Sequence, residues 1–125
     1  LGDVYKRQEL QSVEMDGSLT QTPEFPYNWM YDGSRPQMPG FEMEITCKSL
    51  FLIFKDSGEM DVGKADVFVN DVYCMTADPH KNNWLHCNAV LLFWETESRS
   101  HKVRITVTEE DQNKKFTILG FGYTI

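Results

Sequence analysis

The chain has 125 residues and carries twelve Lys and Arg against nineteen Asp and Glu, a formal net charge of −7. With 41% apolar residues and sixteen aromatics (eight Phe, five Tyr, three Trp), it has the material for one real core. That excludes wholesale disorder and leaves little room for two domains. No stretch approaches the roughly 18 uninterrupted apolar residues of a membrane helix, and the acidic balance argues against a nucleic-acid backbone or a membrane surface as partner.

Leu1-Gly2-Asp3-Val4 runs into Tyr5-Lys6-Arg7-Gln8 with no apolar h-region, so no signal peptide is read. Residues 1–8 have the look of adaptor sequence at the edge of a metagenomic gene, with the natural start further upstream. The compartment is therefore left open, extracellular if the chain binds glycan. Residues 1–15 read as a flexible tail and 16–125 as a single β-sandwich domain. Four of the five prolines fall within residues 1–40, where Gly17-Ser18, Asp32-Gly33-Ser34 and Pro39-Gly40 mark turns between extended segments. Phe25, Tyr27, Trp29, Met30 and Tyr31 form a dense aromatic patch, either an edge strand or a segment packed over the core.

From residue 41 the period is two. Phe41, Met43, Ile45 and Cys47 alternate with Glu42, Glu44 and Thr46, the pattern of a half-buried antiparallel strand. Leu50 to Phe54 is continuously apolar and predicts a strand buried on both faces. Val67-Phe68-Val69 and Val72-Tyr73-Cys74 flank Asn70-Asp71, a pair able to take the positive φ values of a type I′ hairpin. A polar loop follows from Thr76 to Asn83, with Trp84 at its exit. Asn88 to Glu95 is a further apolar run, which makes Trp94 a core residue. His101, Val103, Ile105 and Val107 alternate with Lys102, Arg104, Thr106 and Thr108 in the cleanest strand of the chain. Glu109 to Asn113 predicts a solvated turn, and Phe116 to Ile125 a last strand. Seven or eight short strands without a helical stripe indicate an all-β fold, an antiparallel β-sandwich or barrel.

Three cysteines, Cys47, Cys74 and Cys87, lack C-x-x-C spacing, and their odd number leaves at least one thiol free. They read as small buried hydrophobes; a Cys74–Cys87 bridge is possible on composition alone. No G-x-S-x-G signals a nucleophile elbow, and Asp56-Ser57-Gly58 reads as a turn. His80 and His86 lack a third ligand for zinc, and His101 reads as a core histidine bonded to backbone. Asp56, Glu59 and Asp61 lack the spacing of an EF-hand loop. Glu42/Glu44 and Glu95/Glu97 read as solvated charge. No catalytic residue, metal or cofactor is assigned. The aromatics point to a different chemistry: sugar rings stack their C–H faces on Trp or Tyr while amides and imidazoles bond the hydroxyls. Trp84, with Asn82, Asn83 and His86 around it, is such a grouping, and the alternative is a Trp plugging the end of the sandwich. Tyr73 and Trp29 complete the ligand-binding candidates. Trp29 is either a second platform or a packed cover.

Leu50-Phe51-Leu52-Ile53-Phe54-Lys55-Asp56-Ser57, Gly63-Lys64-Ala65-Asp66-Val67-Phe68-Val69-Asn70-Asp71, Trp84, His101-Lys102-Val103-Arg104-Ile105 and Phe116 to Gly122 occur in that order. Over about residues 40–125 this series resembles the accessory jelly-roll, galactose-binding-like β-sandwich of SGNH/GDSL-type esterases from gut clostridia and related bacteria. The hairpin turn departs from the family's Asp-Gly. The resemblance implies a non-catalytic, carbohydrate-binding-like module beside an SGNH/GDSL catalytic domain in the same or a neighbouring chain. It also leaves open a structural domain that packs on the catalytic domain without a ligand of its own. The hydrolase's own motifs are missing: there is no Gly-Asp-Ser block, and Asp78-Pro79-His80 is one residue too short for Asp-x-x-His.

Overall fold

A computed structural model of the chain describes residues 4–5, 19–22, 25–31, 33, 40–81 and 87–125, with side chains described for 29–31, 33, 40–81 and 87–125. Among the described residues eight strands form: β1 (Val4–Tyr5), β2 (Leu19–Thr22), β3 (Phe25–Tyr31), β4 (Phe41–Lys55), β5 (Ala65–Val69), β6 (Val72–Ala77), β7 (Cys87–Val107) and β8 (Phe116–Thr124). They pair antiparallel in the order β2-β3-β8-β4-β7-β5-β6, with β1 added along β8. Val4–Tyr5 thus pairs within the stretch that reads as a tail from sequence. A single 3₁₀ turn, Glu109–Asp111, joins β7 to β8.

Two strands are far longer than the sequence predicts. The runs 41–47 and 50–54 are one strand, β4, and the runs 88–95 and 101–107 are one strand, β7. Bulges join them. β4 buries odd-numbered residues from Phe41 to Cys47, then even-numbered ones from Leu50 to Phe54. The register slips between Cys47 and Ser49, where Glu95–Ser98 of β7 lie opposite Lys48 alone. The four residues of β7 against one of β4 make an odd offset, and an odd offset exchanges the inward and outward sets. Both strands thereby pass from one layer of the sandwich to the other. One layer holds β4 residues 41–47, the end of β7, β5 and β6. The other holds β4 residues 49–55, the start of β7, β8, β3 and β2.

The layers meet on aromatic rings. Phe41 of the first layer stacks on Phe121 of the second at 5.5 Å between centroids, and Trp29 meets Phe41 edge-on at 5.4 Å. Phe54 and Phe116 stack at 5.6 Å beside them. Trp29 is 1% exposed. Of its two sequence readings, packed cover or platform, the structure realises the cover, and no ring face is left for a sugar.

Several expectations are corrected. Trp94 is 80% exposed rather than core, because a second bulge, opposite Leu50 and Phe51, turns Leu92 inward and leaves Leu91 and Trp94 outward. Phe51 is 40% exposed because β4 alternates here, with Leu50, Leu52 and Phe54 inward, so β4 there is buried on one face only. The thiols are all free: Cys47 is buried, Cys74 half-buried and Cys87 exposed, so Cys87 is no core hydrophobe. Burial raises the Cys47 thiol pKa to about 11, which leaves it protonated and unreactive at neutral pH. Asp111, inside the turn read as solvated, is buried.

The two described tryptophans should respond oppositely to truncation. Trp29→Ala should cost about 3–5 kcal/mol, the usual loss for a large aromatic removed from a core. Trp94→Ala should stay within about 0.5 kcal/mol. Urea midpoints of the two variants check both.

Candidate functional site

The interior holds no ligand-sized space among the described residues. A crevice beside Tyr31, Phe41 and Ile105 has a volume of about 20 Å³, enough for a water at most. A ligand must use an outer face, and the first layer offers a polar one.

Its centre is built by register. Phe68 of β5 faces Arg104 of β7 on one side and Tyr73 of β6 on the other. The next row places Asp66 between Thr106 and Thr76. Residues three apart on a strand normally point to opposite sides. The slip between Val67 and Phe68 absorbs Cys74 as a bulge and returns Tyr73 and Thr76 to the same face. The Arg104 guanidinium lies 4.1 Å from the Phe68 ring centroid, and Phe68 meets Tyr73 edge-on at 6.0 Å. Tyr73 remains 57% exposed.

The polar atoms are ordered as well. Thr76 Oγ1 donates to Asp66 Oδ1 at 2.6 Å, so the Tyr73 hydroxyl must donate to Thr76 Oγ1 at 2.7 Å. The Tyr73 oxygen and the Asp66 carboxylate are left as acceptors, with the Arg104 N–H groups as neighbouring donors. The strip opens into a trough of about 850 Å³ lined by Lys64, Asp66, Thr76, Asp78, Lys81 and the Thr108–Glu110 segment.

The hairpin that carries Tyr73 is fixed to β7 at its tip. Asn70 and Asp71 take φ of 52° and 64°, the type I′ turn expected from their identities. Asn70 Oδ1 accepts from the Lys102 amide at 2.9 Å, and Asn70 N donates to the Lys102 carbonyl at 2.8 Å. Its side-chain amide therefore turns toward His101 Nδ1, at 2.9 Å, and makes that nitrogen an acceptor. His101 Nε2 then carries the proton and donates to Glu95 Oε1 at 2.8 Å. Glu95 Oε2 accepts from Arg99 at 2.6 Å. That bond, with His101 second, holds the Glu95 carboxyl below the usual carboxylate range. His101 is buried as expected, but its partners are side chains rather than backbone. Glu95 is a tie across the β7 bulge rather than free solvated charge.

Lys64, which lines the trough, is held by Asp111. Its Oδ2 accepts from the Lys64 amide at 2.9 Å, and its Oδ1 lies 3.5 Å from Lys114 Nζ. A Cβ on Gly63 would come within 2.6 Å of the Asp111 Cβ, so this approach needs glycine.

The sequence candidates divide accordingly. Tyr73 lies on the strip and Trp29 in the core. Asn82, Asn83, Trp84 and His86 lie outside the described residues; the chain enters that segment from Lys81, which lines the trough. Phe68, Arg104, Asp66 and Thr76 were missed as a group, being far apart in sequence. Arg104 alone held the solvent phase of a strand read as alternating, and Thr76 read as the start of a polar loop. His80 Nε2 bonds the Val62 carbonyl, Asp56 is buried against the Asn88 amide at 2.9 Å, and Asp61 pairs with Lys115 at 3.0 Å. These contacts are structural.

No protein-family model and no curated protein sequence matches the chain. Solved structures do match its fold. A two-domain esterase active on acetylated mannans, co-crystallised with mannopentaose, superposes with TM-score 0.74 at 14% identity, over 98% of this chain and 36% of that one. A family two carbohydrate esterase from Cellvibrio japonicus gives TM-score 0.68 at 13% identity, over 99% and 33%. An acetyl xylan esterase from the rumen bacterium Butyrivibrio proteoclasticus gives 0.64 at 14% identity, over 98% and 32%. The chain spans about a third of the length of these proteins. At such identities the likeness shows a shared β-sandwich fold.

Asn70→Ala should destabilise the chain by about 1–3 kcal/mol, since it orphans the Lys102 amide and strains a positive-φ position. Asn70→Gly should recover only the backbone share, as chemical denaturation will show. Asp111 gives a pH signature. The Lys64 amide first, and the Lys114 charge, hold its carboxyl below the ordinary range. A depressed carboxyl contributes stability above its unfolded pKa of about 4, and that contribution is lost as pH falls through the folded value. Thermal melts of Asp111→Asn should therefore lie below wild type at pH 7 and converge on it as pH drops below about 4.

Proposed function

We propose that the chain is a non-catalytic accessory β-sandwich of an SGNH/GDSL-type carbohydrate esterase, of jelly-roll, galactose-binding-like type, and that it binds glycan. The observation that carries this reading is the strip itself. An exposed Tyr73 ring stands beside ordered acceptors on Tyr73 and Asp66 and donors on Arg104. A sugar needs that combination: a ring face for its C–H groups and directed partners for its hydroxyls. Two carbohydrate esterases and an esterase active on acetylated mannans as fold neighbours support a polysaccharide ligand. Asn82, Asn83, Trp84 and His86, which follow Lys81 in the sequence, are proposed as further ligand-binding residues on their chemistry alone. The protein would anchor a catalytic domain beside acylated polysaccharide, where weak binding suffices because tethering raises effective concentration. On this reading the catalytic nucleophile belongs to the hydrolase domain; among the described residues His80 is bonded to Val62 and His101 to Asn70 and Glu95.

The test is calorimetric titration with mannopentaose and soluble xylan. Wild type should bind saturably. Tyr73→Ala and Arg104→Ala should weaken binding about tenfold or more, equivalent to about 1.4 kcal/mol, with far-UV circular dichroism unchanged. Trp84→Ala tests that residue's proposed part in binding. A folded wild type that binds neither sugar, nor any of a panel of plant polysaccharides, overturns the glycan-binding reading.

A further inference from the structure

The second layer turns a face of opposite chemistry to solvent. Phe51 of β4 lies between Leu91 of β7 and Gly122 of β8. Ile53 follows in the next row, and Ser49 between Trp94 and Thr124 in the row before. No position in these three rows is charged, although 25% of the chain is. Trp94 is 80% exposed, Leu91 49% and Phe51 40%. The row's two hydroxyls, Ser49 and Thr124, are bonded to each other at 2.7 Å. A sugar would find an aromatic here but few directed partners. A peptide strand would find no free edge, because β4 is paired on both sides. A contiguous apolar face of this kind marks a site that another folded surface covers.

We infer that this face is the seat of the hydrolase domain, docked through an apolar surface of its own. The inference rests on the accessory-domain reading but not on glycan binding. The occupant is argued from length and architecture. The solved structures that match 98–99% of this chain devote about two thirds of their own length to other parts, and one of them is a two-domain esterase. Interdomain contacts within one chain typically bury about 600–1,500 Å², an area a flat sheet face of three strands can supply. The polar strip lies on the other layer, so docking here leaves it open.

The test uses iodide quenching in a Trp84→Phe background, where Trp94 is the reporter and Trp29 is buried. It compares the 125-residue chain with the same chain joined to, or mixed with, the SGNH hydrolase domain encoded in the same or the adjacent reading frame of its source genome. The expected result is a quenching constant at least threefold lower with the hydrolase domain. Leu91→Glu with Phe51→Glu, which keeps the Trp94 reporter, should abolish that protection and separate the two bodies in small-angle scattering. The sandwich's own melting temperature and its glycan titration should not change, which keeps a failure here distinct from a failure of the glycan reading. Equal quenching in both forms overturns the inference. So does protection that appears only with polysaccharide, protection from dimerisation of the 125-residue chain, or a source genome with no hydrolase domain in either frame.

Discussion

The fold depends on β4 and β7 running through both layers. Neither layer is closed by itself: each borrows half of the same two strands, and the strands change layers where their registers slip. Strands that switch sheets through bulges are a known way of turning a corner in a sandwich. Here the slip does two jobs. It bends the strands, and it exchanges the inward and outward side-chain sets, so that Phe41 to Cys47 and Leu50 to Phe54 both face one core. The stack of Phe41 on Phe121, closed by the edge of Trp29, then fills the space between the layers. An aromatic cluster of this kind contributes area burial and a further 0.5–1.5 kcal/mol or so per ring pair.

The bulges cost ladder hydrogen bonds, and polar side chains offset part of that loss. Glu95 lies in the unpaired stretch of β7 and is bonded by Arg99 and His101, while His101 is bonded in turn by Asn70. The tip of the β5–β6 hairpin is thereby tied to the corner of β7. Neutral His101 satisfies both neighbours at once, accepting at Nδ1 and donating at Nε2. Rigidity at this corner passes to Phe68, Tyr73 and Arg104, which sit a few residues away on the same strands.

The sequence made a good part of this legible. Alternation located 41–47 and 101–107, and Asn-Asp located the type I′ hairpin. Period-two patterns identify faces only while register holds. Lys48-Ser49 and Thr96 to Ser100 therefore looked like gaps between strands, whereas they are the corners of continuous ones. The second bulge, opposite Leu50 and Phe51, explains why Trp94, at the end of an apolar run, reads as core and stands exposed. The polar strip was beyond reach because it is assembled across three strands, and its residues become neighbours only through pairing. Tyr73 was reached through its side-chain chemistry, and Trp29 by the same logic was not, since an aromatic that can stack on sugar can equally fill a core.

The two outer faces obey different physics. Burying an uncharged apolar face is favourable at roughly 25 cal/mol per Å² and needs no directed partners, which suits a permanent contact with a second folded surface. The Tyr73 strip keeps its acceptors and the Arg104 guanidinium in water. Covering it with protein would demand matching partners or leave polar groups unsatisfied at about 1–3 kcal/mol each. A sugar brings such partners on every ring and releases them on exchange. The register slips that give the sandwich its corners also assign apolar residues to one outer face and paired polar residues to the other. A permanent contact and a reversible one can then coexist on opposite sides of a chain of 125 residues.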